Sequence, residues 1–551
     1  MLQSILTSSL EKGFIDQNPS DFPALSQATM LKNQHFSCQL MLRLPDRGMT
    51  CRLSLSLEGS AAPYATWYNV RQVPVLMAAY ADDTIDDNYL RKTPGLYPDL
   101  LEPPHYNGQV VLTGGVMHSV WITLSPEGKI AAGDHTLTLR LKNDKDEELA
   151  LHTLHLHVLD AELPEHGLLL TQWFHCDCLA HTYNVPVFSE RHWEIVENYL
   201  RTAAEYGQTM ILTPVFTPPL DTEVGNERLT TQLVDVTVNE DGSYTFGYEK
   251  LDRWIALCQS CGIHYFEISH LFTQWGAAHA PKIIARVGNE ERRIFGWDTD
   301  AAGAEYTAFL QAFLPSLVEH LKALGVDRQC KFHISDEPHE GCLENYRSAK
   351  AIVSPALEGY DIMDALSSVD FYLDGLVSLP IPANDHIKPF LDAKIDGLWT
   401  YYCCVQGKGV SNRFISMPSC RNRALGMQCF KHDIAGFLHW GYNFYNNMRS
   451  FDAINPYLDA ADAELQVPAG DAFVVYPAGD GTALPSLRLM VFREALEDIA
   501  AMKLCASHYG KQAVVEAMEA VLGEIRFDCC PTSSEQMLAV RAAVDDMLRN
   551  I

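Results

Sequence analysis

The sequence predicts an α/β protein in which an all-β sandwich precedes a (β/α)8, TIM-like barrel. Up to about residue 160, apolar and polar residues alternate between Gly, Pro, Asp and Asn turns, the pattern of half-buried strands. From about 168, short apolar runs recur between stretches of helical periodicity, the pattern of βα units on a parallel sheet. Seven or eight such units in roughly 280 residues suit a closed barrel better than an open sheet.

In chain order, the sandwich strands are expected at 35–44, 51–59, 115–126, 135–143 and 148–160, and AELPEHG (161–167) reads as a linker. Barrel strands are expected at 168–175, 209–216, 264–272, 331–338, 364–372, 397–404 and 436–443. A loop-rich piece follows from about 455, then helices built on LRLMVFREALEDIAAMKLCASHYG and SSEQMLAVRAAVDDMLRN. The expected division is therefore 1–160 sandwich, 168–500 barrel and 501–551 C-terminal helices packed on the barrel.

The 551 residues are 47% hydrophobic and 20% charged, enough for a large core. Lys plus Arg number 41 against 70 Asp plus Glu, a net charge of −29. That sign argues against nucleic acid or an anionic membrane as a partner. The apolar runs are too short and too interrupted to span a bilayer. The start lacks a basic leader, and the 15 cysteines follow no framework spacing, so reduced thiols in the cytoplasm are expected. The sequence leaves the oligomeric state open.

No phosphate loop, dinucleotide glycine fingerprint or GxSxG elbow is present. The Cys258–Cys261 pair has no second pair at zinc spacing. The cluster His175–Cys178 sits among aromatics and Ala without a defined partner, and in His333/Asp336/His339 a hydrogen-bonding His333 beneath the carboxylates is the simpler reading, so neither metal nor cofactor is expected.

Polar and aromatic residues crowd the C-terminal ends of the expected strands, which form the mouth of such a barrel. They are Trp173 and His175 on the first; Glu267, His270 and Trp275 on the third; His333 on the fourth; Asp370 on the fifth; Trp399, Tyr401 and Tyr402 on the sixth; Trp440, Tyr442 and Asn443 on the last. Asp221 lies in the loop after the second. Aromatic faces among carboxylates and hydrogen-bonding groups suit a sugar, whose C–H faces stack while its hydroxyls find polar partners. The expected partner is accordingly a glycoside or small oligosaccharide.

The pair Asp336–Glu337 is the sharpest feature. Neighbours on a regular strand face opposite ways, so both reach one site only where the strand ends, and Pro338 supports an end there. Carboxyls on adjacent residues do not easily straddle an anomeric carbon from opposite faces, as direct-attack acid and nucleophile must. One can instead protonate the leaving oxygen while the other orients a nucleophile belonging to the substrate, such as a 2-acetamido group.

At FHISDEPHE (332–340) and GFLHWGYNFYNN (436–447) the chain resembles glycoside hydrolase family 123. TQWFHCDCLA (171–180), LWTYYCC (398–404) and the tail from 470 to 498 extend the resemblance over most of the chain. The resemblance implies a β-sandwich joined to a βα barrel and a retaining β-N-acetylgalactosaminidase that uses the substrate's acetamido group as nucleophile. It implies that Asp336 orients and stabilises that group and that Glu337 is general acid, then base. Trp399, Tyr401, Trp440 and Tyr442 fall where such sites carry aromatic and hydrogen-bonding residues. Two alternatives stay open: a glycosidase for a sugar lacking the acetamido group, and a non-catalytic carbohydrate-binding protein.

Overall fold

Alternation at the N-terminal end produces two five-stranded sheets. The first runs, edge to edge, Gln3–Ser8, Phe36–Arg43, Met117–Leu124, Ala65–Val75, Gly95–Glu102; the second runs Gln27–Leu31, Glu148–Leu159, Gly133–Lys142, Thr50–Glu58, Gln109–Thr113. Leu40, Leu42, Val120 and Ile122 of the first meet Leu137, Leu139, Leu154 and Leu156 of the second in one apolar core. The opposite face of the first sheet, through Val73, Tyr97 and Trp121, joins the core of the following region. Strands such as Phe36–Arg43 are thus buried on both faces. The computed structural model describes all residues except 47, 82–83, 105–107, 221, 448–451 and 462–466. Asp221 therefore lies outside the described residues.

The βα pattern gives a curled parallel sheet. Six strands run in the order Cys330–Phe332, Tyr265–Ile268, Met210–Thr213, Leu169–Gln172, Gly436–His439, Trp399–Tyr401. Met363–Leu366 and Leu379–Pro382 form a parallel pair, and single parallel bridges, Phe332 to Ile362 and Ala383 to Tyr401, join that pair to the margins of the six. Helices between successive strands cover the outside, with Glu190–Glu205, Glu249–Ser260 and Ala304–Leu324 the longest in the first half. Gly436 lies so close to the Trp399 indole that an added Cβ would come within 2.0 Å of the ring.

Three features depart from expectation. The expected strand 364–372 stops at Leu366, and Asp370 opens the short helix Asp370–Leu373. The strand Leu379–Pro382 escaped notice because its two prolines cannot donate to a ladder and so mask a β pattern. A four-stranded sheet, Tyr244–Gly247, Asp235–Val238, Ile283–Val287, Glu290–Phe295, was also not expected. It grows from the loops after the second and third parallel strands, and Phe246 packs on Phe309 and Phe313 of the helix behind it.

Buried charges tie the N-terminal sheets to the rest. Arg488, on helix Leu487–Tyr509, donates to both carboxylate oxygens of Asp99 at 2.8 and 2.9 Å, and Tyr476 adds a third bond at 2.6 Å. Lys12 reaches the carbonyls of Ile415 and Met417 at 2.9 and 2.7 Å. Among the described residues, no helix is long and apolar enough to cross a membrane.

Candidate active site

A pocket of about 260 Å³ opens at the C-terminal ends of the parallel strands. Asp336 and Glu337 line it together with Trp173, Gln274, Trp275, Tyr401 and Trp440. The strand behind the carboxylates ends at Phe332, and the chain then runs beside the loop after Ile268. Leu271 and Phe272 donate to the carbonyls of His333 and Ile334 at 3.3 and 3.0 Å, and Trp275 donates to that of Asp336 at 2.8 Å. Ser335 closes the seam through the Thr273 carbonyl at 2.8 Å.

Glu337 has φ +45° and Trp275 φ +59°, both left-handed without being glycine. Such backbone costs about 1–3 kcal/mol per residue and persists where the surroundings over-determine it. At Glu337 this turn, immediately before Pro338, brings two adjacent carboxyls to one pocket. Asp336 is buried and Glu337 half-buried. The Tyr401 hydroxyl donates to Glu337 Oε1 at 2.7 Å. Burial raises the Glu337 carboxyl above its usual range, with the Tyr401 bond acting in the opposite sense.

Beneath the pocket lies a fully buried chain of polar groups. Glu267 accepts from the Thr171 hydroxyl at 2.6 Å, the Trp173 indole N–H at 2.7 Å and His333 Nε2 at 2.6 Å. His333 Nδ1 donates to Asp364 at 3.1 Å, and Tyr346 donates to the same carboxylate. Burial opposes the charged form of His333, but the bonds to Asp364 and Glu267 outweigh it and lift the ring to about 9. Its two nitrogens are thus both donors, and His333 is an imidazolium near neutrality. His270 stacks on it with centroids 4.0 Å apart and is kept neutral, first by burial and then by the neighbouring charge. His270, His333 and Asp364 lie close enough to suggest a cation site. Both His333 nitrogens are already engaged by carboxylates, Nε2 with Glu267 at 2.6 Å and Nδ1 with Asp364 at 3.1 Å, so in this arrangement the ring turns no free nitrogen toward a cation.

The opposite wall is set from behind. The Trp440 indole donates to Asp471 at 2.7 Å, and the Trp440 carbonyl accepts from His175 Nε2 at 2.8 Å. His175 Nδ1 in turn accepts from Arg228, which also pairs with Asp177 at 2.6 Å. Burial and then Arg228 push His175 down to about 3, so it is a neutral, fixed donor. Asn443 clasps the His175 backbone with bonds of 2.8 and 3.1 Å. Arg413 bonds Gln172, His439 Nδ1 and the Gly441 carbonyl.

The expected residues therefore separate. Trp173, Trp275, Asp336, Glu337, Tyr401 and Trp440 line the pocket. Glu267, His270 and His333 lie under it, while His175 and Asn443 brace Trp440 from outside. Trp399 is core inside the curled sheet, because it starts its strand rather than ending it. Tyr402 faces outward onto Phe437, since its neighbour Tyr401 takes the inner side. Tyr442 is anchored to the Tyr199 carbonyl at 3.0 Å and packs on Phe174. Asp370 is exposed at the start of its short helix, outside the pocket lining. Sequence reading missed Asp364, Arg228, Arg413, Asp471, Cys403 and Cys404 as parts of the site. Asp364 opens an expected strand, but nothing local marks it as His333's partner, and Asp471 comes from a distant loop.

The family model for the catalytic domain of glycoside hydrolase 123 matches residues 173–505. The fold is similar to that of a family 123 glycoside hydrolase from Clostridium perfringens, whose structural analysis concerned glycolipid glycan hydrolysis. The TM-score is 0.77 at 14% identity, covering 100% of this chain and 98% of that one. A β-glucuronidase from Parabacteroides merdae matches at TM-score 0.33 and 12% identity, over 90% of this chain and 51% of that one. No curated protein matches the sequence. With a catalytic-domain match across more than half its length, the chain belongs to glycoside hydrolase family 123, and is a glycosidase acting on a glycoside or oligosaccharide.

Proposed function

We propose that the enzyme releases a terminal β-linked N-acetylhexosamine, N-acetylgalactosamine first among them, with retention and by substrate assistance. The supporting observation is that Asp336 and Glu337 are the only carboxylates among the described residues lining the pocket, and that they are chain neighbours. Glu267 is held by three donors under the floor and Asp370 is exposed elsewhere, so neither is poised to attack from the opposite face. The acetamide oxygen then serves as nucleophile, with an effective molarity on the order of 10⁵ M or more. Asp336 holds the amide N–H and offsets the positive charge of the oxazoline ring. Glu337, whose carboxyl burial shifts toward the protonated form, gives its proton to the leaving oxygen and later takes one from water.

The pocket volume of about 260 Å³ suits one sugar ring, which supports removal of terminal residues. The two parallel sheets with their bridging pairs support a (β/α)8 barrel as the frame. The 15 free thiols support a reducing, cytoplasmic setting; free-thiol counting on protein taken from its native cells tests that part. An NMR time course on a β-linked N-acetylhexosaminide, paired with its 2-deoxy analogue, tests the mechanism. The β-anomer should form first and the 2-deoxy compound should stay intact. Initial α-anomer, or brisk turnover of the 2-deoxy compound, would falsify substrate assistance.

A further inference from the structure

Two cysteines adjacent in sequence stand in the wall of the catalytic pocket. The strand Trp399–Tyr401 ends one residue before Tyr402, and Cys403 and Cys404 follow at the turn. Both line the pocket that holds Asp336 and Glu337. Cys403 lies two residues beyond Tyr401, the tyrosine that touches Glu337, and lines the same pocket. Its position is fixed: Gln406 Oε1 accepts from the Cys403 backbone N–H at 2.9 Å and from its thiol at 3.2 Å. The Cys403 carbonyl accepts from Asn412 at 2.8 Å. The Cys404 side chain is within hydrogen-bonding reach of the Cys403 sulfur and is partly exposed.

We propose that Cys403 and Cys404 form a dithiol receptor for trivalent arsenicals and other thiophilic centres with two positions open to sulfur, and that its occupation blocks the catalytic pocket. Soft sulfur ligands select such centres over the hard cations that carboxylates hold. Two sulfurs on consecutive residues, one of them immobilised by Gln406, lose little freedom on closing a ring around one atom. Chelation of this kind exceeds single-site affinity by about 10²–10⁴-fold. The chemistry needs no oxidant. An arsenical R–As=O condenses with two thiols to R–As(SR′)2; two S–H bonds and the As=O bond break, two As–S bonds form, and both protons leave with the oxygen as water. The contact with Cys404, and then burial, raise the Cys403 thiol, which favours its entry into this balance with its proton. The inference rests on the pocket wall and not on which sugar is cleaved.

A second neighbouring pair, Cys529–Cys530, lies outside the pocket lining, so Cys529→Ser provides the background for the test. Phenylarsine oxide is titrated into the full-length Cys529→Ser protein, followed by intact mass, peptide mapping and turnover of whichever glycoside the enzyme cleaves. One arsenical per chain should bind, map to the peptide holding Cys403 and Cys404, and stop turnover. Release should follow 2,3-dimercaptopropanol and not an equal concentration of a monothiol. Cys404→Ser in the same background should bind about 10²–10⁴-fold more weakly. Cys403→Ser, which keeps a donor for Gln406, should do the same. An adduct mapped elsewhere, undiminished binding by both serine variants, or a 403–404 adduct that leaves turnover intact would overturn the proposal.

Discussion

The Tyr401 hydroxyl and Glu337 Oε1 are 2.7 Å apart, and Tyr401 is donor. A hydrogen bond to the carboxylate stabilises its ionised form, so this contact limits how far burial raises Glu337. Tyr401→Phe removes the donor. For a general acid, the alkaline limb of kcat/KM follows its ionisation, and in Tyr401→Phe that limb should move to higher pH. An unmoved limb would detach Glu337 from the acid role.

Glu337→Gln should lower turnover of a poor-leaving-group substrate by about 10²–10⁴-fold, with the circular dichroism spectrum unchanged. A nitrophenyl leaving group needs little protonation, so its first step should recover much of the rate. Stopped-flow release of nitrophenol compared with disaccharide hydrolysis separates the two cases.

His333 links two buried carboxylates, and its removal should be felt in the fold first. Leaving Glu267 and Asp364 without their shared cation should cost about 3–5 kcal/mol in His333→Gln, read from urea unfolding. The pH dependence has a definite sign. The folded ring titrates near 9 against an ordinary value of 6.5, so its contribution is complete below about 6.5 and disappears as pH rises through about 9. Wild-type stability should therefore fall across that window more steeply than that of His333→Gln.

Asp471 fixes the Trp440 indole at 2.7 Å, and burial raises its carboxyl to about 7. Trp440→Phe keeps an aromatic face but abandons that bond and leaves the carboxyl unpartnered on that side. We expect KM to rise more than kcat falls if the ring, which lines the pocket, seats the sugar as proposed. A pure loss of kcat would assign Trp440 to the reacting centre instead.

Much of the frame was legible because periodicity reports burial. Alternation marked five sandwich strands, and apolar runs marked most of the parallel ones. The first sheet was harder to read at Ala65–Val75, where Trp67 meets the sandwich core while Val70, Val73 and Val75 meet the catalytic region, so alternation fades. Leu379–Pro382 hid behind its prolines. Asp336 and Glu337 stood out because a proline after two acids is a local signal, and both line the pocket. The supports under it were not local: His333 meets Asp364 across two strands, and Trp440 depends on an aspartate 31 residues further along. Trp399 and Tyr402 show the same limit, since a slip of one or two positions along a short strand exchanges pocket for core.

The clasp of Arg488 on Asp99 bears on how such a chain can be cut and recombined. A fragment beginning at the linker would keep the guanidinium sealed inside its longest helix while discarding the counter-ion supplied from a strand nearly four hundred residues earlier. Swapping in a foreign sandwich would do the same unless the newcomer carried an acid at that depth. Recombinants that separate the two should lose stability unless arginine and aspartate are replaced as a pair.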